Sequence, residues 1–470
     1  MGRARSVLWA LALSAPWIAR AQPYSLKTVI NPGKVYPGHT LSIRVEADYP
    51  GKPDHVYLTS LSATNPGITV RPFCNWANPN CWKIGGKLGV WNEGPSVTFD
   101  LQATPAADTP PGNYSVRLLA TSLGVEQRLD IPIQVEALPP PVTRRDEPLK
   151  APNLPGLGDW RQQMTFTGEL FCDPKAKYSF GNEREVWYYD GAWVFFQVYD
   201  YTGKSKWRDC ALNVARQFRD YALSAQPPGR IPGWRVFTMG LRRAYKETGD
   251  ASYRSAVEAL VNNSPFAATN GNADDQAIRE TAYLLRAFTD AHLMGIAVDP
   301  ARAAKATDYL VGMADILFAG PPQTTRAMIH ESFFDGLMAQ GLTYYYDNWV
   351  KDPRIPPTIQ KLCNWVYQYL WDSRSGSLMY NPFPTNPGFP RHCEDMCQQR
   401  ERTLINLVDP AYFWYWRLTG DDSIRRKGDE MFSHALDDAI DDKGKSYSQN
   451  YYWSFDGVRW RTGQIAGKGK

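Results

Sequence analysis

The feature that most constrains this fold is a three-residue corner that recurs in the second half of the chain. Thr-Gly followed by Lys or Asp occurs at 202–204, 248–250 and 419–421, each time after an aromatic-rich apolar segment and before a more charged one. The glycines Gly203, Gly249 and Gly295 are spaced by 46 residues. A fixed period of this size indicates stacked helical hairpins, because a single hairpin cannot bury its apolar face alone.

The first 21 residues are predicted to be an export signal. Arg3 and Arg5 are basic, residues 7–18 are apolar but too short to span a bilayer as a mature helix, and residues 19–21 form a small-x-small cleavage site. The mature chain is therefore expected to begin at Gln22 and to be secreted or periplasmic, and an uncleaved N-terminal anchor is the alternative. No later segment approaches 18 continuous apolar residues, so no membrane span is predicted in the mature chain.

Composition limits the classes of partner. The net charge is +4 on 470 residues, and the chain has no long basic tract, which argues against nucleic acid as the main partner. The 17 Trp and 26 Tyr fit either sugar-binding clefts or the cores of helical arrays. A Gly-rich phosphate loop, a Gly-x-Ser-x-Gly elbow and a His-Glu-x-x-His zinc pattern are all absent from the sequence, so neither a cofactor nor a metal is predicted.

Seven cysteines in an exported protein predict some disulfides and at least one unpaired thiol. Cys74 and Cys81 flank a turn-rich loop and are the predicted pair. Cys393 and Cys397 lie near a histidine, but a loop disulfide is favoured there over a metal site. The sequence leaves the pairing of three further cysteines open, namely Cys172, Cys210 and Cys363.

Residues 22–137 are predicted to form an all-β domain. Residues 40–47 alternate with period two, as do 115–120 and 131–135, and the turns Pro37-Gly38 and Pro111-Gly112 precede two of these segments. About seven short strands in a segment of this length favour a β-sandwich. A proline-stiffened linker is predicted at 138–158.

Residues 159–470 are predicted to be helical, with two kinds of helix. Residues 186–199 are apolar on all sides, which predicts an inner helix, whereas residues 205–224 have one apolar stripe, which predicts an outer helix. The same alternation continues along the chain. Further inner helices are predicted at 234–247, 277–294, 328–346 and 403–418, outer helices at 251–262, 301–318, 356–371 and 422–440, and a short closing segment at 447–460.

These hairpins and their Thr-Gly-Asp corners resemble the six-hairpin glycosidase and lyase superfamily. The Pro-Gly-x-Tyr-x-Val string at 111–116 resembles immunoglobulin-like modules of secreted bacterial enzymes. Together they imply a multidomain protein, an all-β immunoglobulin-like sandwich followed by an all-α (α/α)6-type toroid. The order resembles family 9 endoglucanases, but their Asp-Ala-Gly-Asp motif is absent, and the nearest string is 188–192. The pair Asp274-Asp275 is similar to the paired aspartates of family 76 α-mannanases, and the size is near that of unsaturated uronide hydrolases, so the family is unassigned.

Three carboxylates are the predicted catalytic residues, because glycoside hydrolysis needs two carboxyl groups. Asp190 lies among aromatic residues, which favours a raised pKa and a general-acid role, although a bond to a buried partner is the alternative. Asp275 precedes an inner helix, where a cap is the alternative to an ionised carboxylate in the cavity. Glu331 opens another inner helix and is the reserve for either role.

The remaining site predictions concern substrate binding. Aromatic rings near the starts of inner helices could stack on sugars, and polar residues there could bind hydroxyl or carboxylate groups. Arg279 and Glu280 could equally form an internal ion pair, and His330 could equally be structural. The predicted substrate-binding residues are Trp187, Tyr188, Trp234, Arg279, Glu280, His330 and Asp335.

The sequence thus favours a secreted carbohydrate-active enzyme, a glycoside hydrolase that cleaves a poly- or oligosaccharide with two carboxylates. One alternative is a polysaccharide lyase acting on a uronide, for which Tyr189 or His330 would be the base and Arg279 or Arg184 the cation. The other alternative is a non-catalytic carbohydrate-binding or scaffolding protein.

Overall fold

A computed structural model describes the chain in several stretches: residues 24–48, 56–73, 81–84, 87–90, 96–122, 124–142, 153–265, 278–322, 331–380, 400–435 and 444–463. A β module at the N-terminus is followed by a helical domain, in agreement with the sequence. The predicted export signal lies outside the described residues, as do Cys74, Cys393, Cys397, Asp275 and His330. Only the backbone of Cys81 is described, so its pairing with Cys74 stays a prediction.

The β module consists of two sheets. The strands are β1 (Ser25–Ile30), β2 (Lys34–Val35), β3 (Leu41–Asp48), β4 (Val56–Ala63), β5 (Ile68–Phe73), β6 (Cys81–Ile84), β7 (Lys87–Val90), β8 (Ser96–Pro105), β9 (Gly112–Ser122) and β10 (Val125–Val135). The first sheet has the order β1-β3-β8-β5 and is antiparallel. The second has the order β2-β10-β9-β4-β7-β6, and among these described strands β2 alone pairs in parallel.

Alternation along the strands creates one core between these sheets. Every second residue of β3 is buried, from Leu41 through Ala47, and the same holds for Val116, Leu118 and Ala120 on β9. Because successive side chains of a strand point to opposite faces, one face of each sheet contributes to this core. The predicted strands at 40–47, 115–120 and 131–135 are confirmed.

The helical domain contains fourteen described helices and a small three-stranded sheet. The helices are α1 (Leu157–Phe171), α2 (Gly191–Thr202), α3 (Ser205–Ser224), α4 (Met239–Thr248), α5 (Ala251–Asn263), α6 (Ile278–Leu293), α7 (Pro300–Leu317), α8 (Ser332–Asn348), α9 (Ile355–Tyr369), α10 (Ile405–Val408), α11 (Pro410–Thr419), α12 (Asp422–His434), α13 (Gly444–Tyr451) and α14 (Ser454–Thr462). Strands β11 (Trp371–Asp372), β12 (Ser377–Met379) and β13 (Arg400–Glu401) form the sheet.

Contacts among the buried helices close on themselves. Helix α2 packs on α4, α4 on α6, α6 on α8, and α8 on both α10 and α11. Helix α10 then contacts α13, which returns to α2. The other helices lie against this closed set, with α3, α5, α7, α9 and α12 contacting successive members and α1 contacting α13.

Burial follows the predicted contrast between inner and outer helices. Most of α2 is buried, including the run from Val194 to Val198, whereas α3 buries one face and exposes the other. Gly203, Gly249 and Gly420 end α2, α4 and α11 in the left-handed conformation, which glycine adopts without a steric penalty. The Thr-Gly corners are therefore C-terminal helix caps.

A disulfide links Cys172 to Cys210 and so joins the end of α1 to α3. We expect replacement of Cys172 by Ser to lower the free energy of unfolding by about 2–4 kcal/mol, because the crosslink restricts the unfolded chain. Urea unfolding of the oxidised parent and the variant measures the difference. Cys363→Ser is the control, since Cys363 is a free buried thiol, and an equal loss in both variants would contradict an effect of the crosslink.

The β module contacts the helical domain through a buried cluster of charges. Asp308 on α7 accepts hydrogen bonds from Thr40 N at 2.7 Å and from His39 Nδ1 at 2.9 Å. The Arg354 guanidinium lies 2.7 Å from Asp308 and 2.6 Å from Asp352. Because Asp308 and Arg354 are both less than one tenth exposed, this cluster, the Asp308 cluster, is a fixed contact between the two parts of the chain.

Among the described residues, none of the helices has both the length and the apolar character that crossing a bilayer requires.

Candidate active site

The start of α2 has an unusual backbone. Tyr189 and Asp190 both have positive φ, at 62° and 54°, although neither is glycine. A Cβ on Gly191 would lie 2.0 Å from Val186 O, so the chain approaches itself too closely there for any other residue. The predicted helix 186–199 therefore begins only at Gly191. Strained backbone of this kind costs of order 1–3 kcal/mol per residue and is concentrated at functional sites.

This turn places the Asp190 carboxyl between two inner helices. Oδ1 accepts from Trp193 N at 3.2 Å, within α2, and Oδ2 accepts from Gly240 N at 3.1 Å, in α4. A Cβ on Gly240 would lie 2.4 Å from Oδ1, so glycine is needed for this approach. Asp190 thus caps α2 and is only 4% exposed, and its hydrogen bonds come from backbone N–H groups and not from the buried Tyr or Arg side chain that was the structural alternative for this residue.

Burial raises the pKa of Asp190 to about 6. The Arg286 guanidinium and the two backbone N–H groups oppose this rise, and Asp290 adds to it. A carboxyl in such a site stays protonated at pH values where an exposed aspartic acid is ionised. The predicted general-acid character of Asp190 is therefore supported by its surroundings.

A polar stripe on α6 continues the site beneath Asp190. Arg279, Tyr283, Arg286 and Asp290 stand at positions i, i+4, i+7 and i+11 of this helix, the spacing that places side chains on one face. Asp290 accepts hydrogen bonds at 2.6–2.7 Å from the hydroxyls of Thr238 and Tyr344 and from Arg242 Nε. Tyr283, Arg286 and Asp290 were not predicted from the sequence, although their helical spacing from Arg279 was a usable signal.

Arg286 is the central charge of this stripe. It is 1% exposed, and its Nη1 donates to Gln340 Oε1 on α8 at 2.9 Å. Its guanidinium lies over the rings of Tyr452 and Tyr283, at 4.6 and 5.2 Å from their centres. Within the described residues, Arg286 Nε and Nη2 and the hydroxyls of both tyrosines have no hydrogen-bond partner. Buried polar atoms are nearly always satisfied, so this cluster is suited to hold water or a polar ligand.

A second group of polar side chains lies around Tyr189. Arg279, Tyr380 and Glu331 all act electrostatically on the Tyr189 hydroxyl, and burial raises the pKa of Tyr189 well above its ordinary range. Glu331 is the N-cap residue of α8 and is partly exposed. Its carboxylate accepts a hydrogen bond from the Tyr380 hydroxyl. We call Tyr189, Arg279, Glu331 and Tyr380 the Tyr189 cluster.

Two further predicted binding residues border this cluster. Glu280 is 6% exposed and accepts from Arg279 Nε at 2.9 Å, so the ion pair expected as an alternative is present. Trp234 is 36% exposed, donates to Glu183 at 2.7 Å, and has the Arg279 guanidinium 5.8 Å from its ring centre. It lies in a short 3₁₀ turn, not in the predicted helix 234–247, which begins only at Met239. Trp234 and Arg279 therefore form the accessible part of the site.

Three other predicted site residues are buried in the protein interior. Trp187 and Tyr188 are 1% and 3% exposed, which favours a packing role for both rings. Asp335 is fully buried and acts electrostatically on Tyr412, whose hydroxyl donates to Cys363 O on the outer helix α9, so Asp335 belongs to helix packing. Within the described stretches, His, Cys, Asp and Glu side chains form no group of three that could hold a metal ion.

Comparisons with known proteins leave the family unassigned. Neither the family models nor the curated proteins contain a match. Among solved structures, the chain is similar to unsaturated glucuronyl hydrolase from Streptococcus agalactiae, with 10% identity, TM-score 0.45, and coverage of 70% of this chain and 100% of the other. It is also similar to a sugar epimerase from a ruminal bacterium, with 11% identity, TM-score 0.43, and coverage of 61% and 87%.

A third similar structure is a family 76 glycoside hydrolase from a bovine Bacteroides thetaiotaomicron strain, with 10% identity, TM-score 0.38, and coverage of 94% and 99%. All three TM-scores are below 0.5.

Proposed function

We propose that the protein is a carbohydrate-active enzyme, specifically a glycoside hydrolase of poly- or oligosaccharides. In this proposal the closed set of helices is an (α/α)6-type toroid, the β module is immunoglobulin-like, and the protein is exported to the periplasm or the medium. The observation that carries the proposal is a pair of differently placed carboxyl groups. Asp190 is buried and has its pKa raised to about 6, whereas Glu331 is partly exposed in the adjoining Tyr189 cluster.

The two carboxyl groups could divide the work of hydrolysis. Asp190, protonated below about pH 6, would donate its proton to the leaving oxygen of the glycosidic bond. Glu331, with Asp275 as the other predicted carboxylate, would act as base or nucleophile. Because Asp190 is 4% exposed, the proposal requires the substrate oxygen or a relaying water to reach it beside Tyr189 and Arg286.

Lyase chemistry is less well supported by the same site. A tyrosine that removes a proton must first ionise, and that requires a lowered pKa. Burial instead raises the pKa of Tyr188, Tyr189 and Tyr380, and Arg279 opposes this rise only in part. The hydroxyl groups of these tyrosines are therefore held protonated, so the described residues favour hydrolysis over elimination.

A glycan panel tests the proposal. Hydrolysis releases new reducing ends without an unsaturated product, whereas elimination creates a double bond that absorbs in the ultraviolet. We expect reducing ends alone. Ultraviolet-absorbing products would favour the lyase, and binding of glycans without any cleavage would favour a non-catalytic carbohydrate-binding protein.

Replacement of Trp234 by Ala is expected to raise KM about tenfold and to leave kcat nearly unchanged, because a sugar stacked on the exposed ring would lose about 1–2 kcal/mol of binding. Steady-state kinetics on the best substrate of the panel would measure both constants. Phe166→Ala is the control, since Phe166 is 71% exposed on α1 and far from the site in sequence. Equal KM values in the parent and both variants would exclude stacking on Trp234.

A further inference from the structure

We propose that the protein has a second binding pocket, which takes a single neutral sugar ring and lies between α2, α14 and α1. This pocket, the seam pocket, is separate in its side chains from the Asp190 site and does not depend on catalysis. It is lined by side chains of these three helices, among them Trp160, Gln197, Asp200, Tyr201, Phe455 and Asp456.

Helix geometry explains why a pocket exists there. Trp193, Gln197 and Asp200 lie at i, i+4 and i+7 of α2, so one face of this helix looks towards the C-terminal helices. Gln197 Nε2 donates to the backbone oxygens of Tyr451 and Tyr452 at 3.3 and 3.2 Å. These bonds join α2 to the end of α13, and the pocket opens beside them, between α2 and α14.

One wall of the seam pocket is aromatic and rigid. The Trp160 ring lies 4.9 Å from Phe455 and 5.7 Å from Tyr201, measured between ring centres. Trp160 is fully buried, and its Nε1 donates to Ser454 Oγ at 3.0 Å, which fixes the ring. Trp160 has no exposed surface itself, so the ring that can meet a ligand is the partly exposed Tyr201, which packs against Trp160 and Phe455. A ring held in this way suits the C–H face of a sugar, because little ordering is needed on binding.

The rim of the pocket is polar but balanced in charge. Asp200 accepts from Arg243 Nη1 and Nη2 at 3.0 and 2.8 Å, and Asp456 accepts from Arg459 Nη2 at 2.6 Å. Each carboxylate is thus already paired with a guanidinium, which weakens the attraction for a free cation or anion. A paired carboxylate still has lone pairs that can accept hydrogen bonds from hydroxyl groups. The rim therefore favours a neutral ligand rich in hydroxyl groups.

The size of the pocket agrees with this ligand class. Its cavity volume is about 80 Å³, and the figure reaches about 480 Å³ only when the open solvent at its mouth is included, so the pocket can hold no more than one small ring. An apolar wall opposite a few hydrogen-bonding groups is the usual arrangement in such sites. A single pyranose unit, free or at the end of a chain, meets these requirements of shape, charge and hydrogen bonding.

Titration of the full chain with glucose, galactose, mannose and N-acetylglucosamine tests the proposal, with saturation-transfer NMR and calorimetry as readouts. These monosaccharides have no glycosidic bond, so binding is measured without turnover. We expect at least one sugar to bind, and Asp456→Asn to weaken that binding at least tenfold. Asp220→Asn is the matched control, because Asp220 also pairs with a neighbouring arginine, Arg219, but is exposed on α3.

Three results would overturn the proposal: no binding of any of the four sugars, equal binding by Asp456→Asn and the control, or preferential binding of tetramethylammonium, which would identify a cation site. Asp200→Asn provides a second variant if Asp456→Asn fails to fold, since the Asp200 side chain is 36% exposed. It is expected to weaken the same sugar, and unchanged binding would contradict the proposal. Failure of these tests would leave the proposed hydrolase activity unaffected, because the Asp190 site shares no side chain with the seam pocket.

Discussion

Replacement of Asp190 by Asn is expected to lower kcat by about 10²–10⁴-fold, the usual contribution of a general acid. In the parent, activity should fall as the pH rises through about 6, because Asp190 then loses its proton. The variant should lack this fall, since an amide does not ionise in this range. Glu331→Gln should also lower kcat but should retain the fall near pH 6. Measurements of kcat against pH for the three proteins test this assignment.

The same substitution changes stability in a pH-dependent way. The pKa of Asp190 is raised from 3.8 to about 6 in the folded protein, so the folded state holds the proton more strongly. Its contribution therefore favours folding below about pH 4 and is lost as the pH rises to 6, a difference of about 3 kcal/mol at most. Relative to Asp190→Asn, the parent should therefore lose up to about 3 kcal/mol of unfolding free energy as the pH rises from about 4 to above 6.

Two outcomes would count against Asp190 as the acid. If Asp190→Asn keeps the parent kcat, Asp190 is only the cap of α2 and the link to α4. The variant could also lose activity merely by unfolding, because the single oxygen of the Asn amide cannot replace both carboxyl oxygens as acceptors for the two backbone N–H groups. That loss would cost about 1–3 kcal/mol of stability. Gly240→Ala separates these cases, because the added Cβ would shift the Asp190 carboxyl group from its position while the protein keeps an ionisable carboxyl group there. Activity should then fall while the pH dependence of stability persists.

Replacement of Asp308 by Ala is expected to lower the free energy of unfolding by about 3 kcal/mol or more. The substitution leaves Thr40 N and Arg354 without their shared acceptor in a buried contact, and buried charges that lose a partner are costly. Because the Asp308 cluster joins the β module to the helical domain, calorimetry should show two separate transitions where the parent shows one.

Asp315→Ala is the matched control on the same helix. Asp315 pairs with Lys361 at 3.1 Å, but the two side chains are 21% and 34% exposed, so the pair is screened by water. We expect its loss to change the unfolding free energy by less than about 1 kcal/mol. A similar effect of both substitutions, or a single unchanged transition in Asp308→Ala, would show that the cluster does not couple the two parts.

Helix periodicity predicted the architecture well because burial and spacing are local properties. The predicted outer helix 205–224 coincides with α3, and α7 and α9 differ from their predicted bounds by one or two residues at each end. The start of α2 was wrong by five residues. Nothing in the apolar run 186–199 reveals that Tyr189 and Asp190 take positive φ, since this conformation depends on the close approach of Gly191 to Val186.

The candidate site was only partly predictable from the sequence. Asp190 was found because its aromatic neighbours in the chain are also its neighbours in space. Arg286 contacts Gln340 and the Tyr452 ring, which come from other helices, so its surroundings depend on packing. The burial of Trp187 and the exposure of Trp234 likewise depend on how the turns before α2 and α4 fold, which the local pattern does not specify.

The contact of the first helix with the last two has a consequence for the order in which the chain folds. Trp160 Nε1 donates a hydrogen bond to Ser454, and the backbone oxygen of Trp160 accepts one from the Tyr451 hydroxyl. These two residues lie 294 and 291 positions further along the chain. Closing a flexible loop of that length costs about 5 kcal/mol in chain entropy, beyond a constant term. These contacts are therefore expected to form late, after the C-terminus has been synthesised. Until then α1 lacks its contacts with α13 and α14, and an unfinished chain exposes apolar surface that attracts chaperones and proteases.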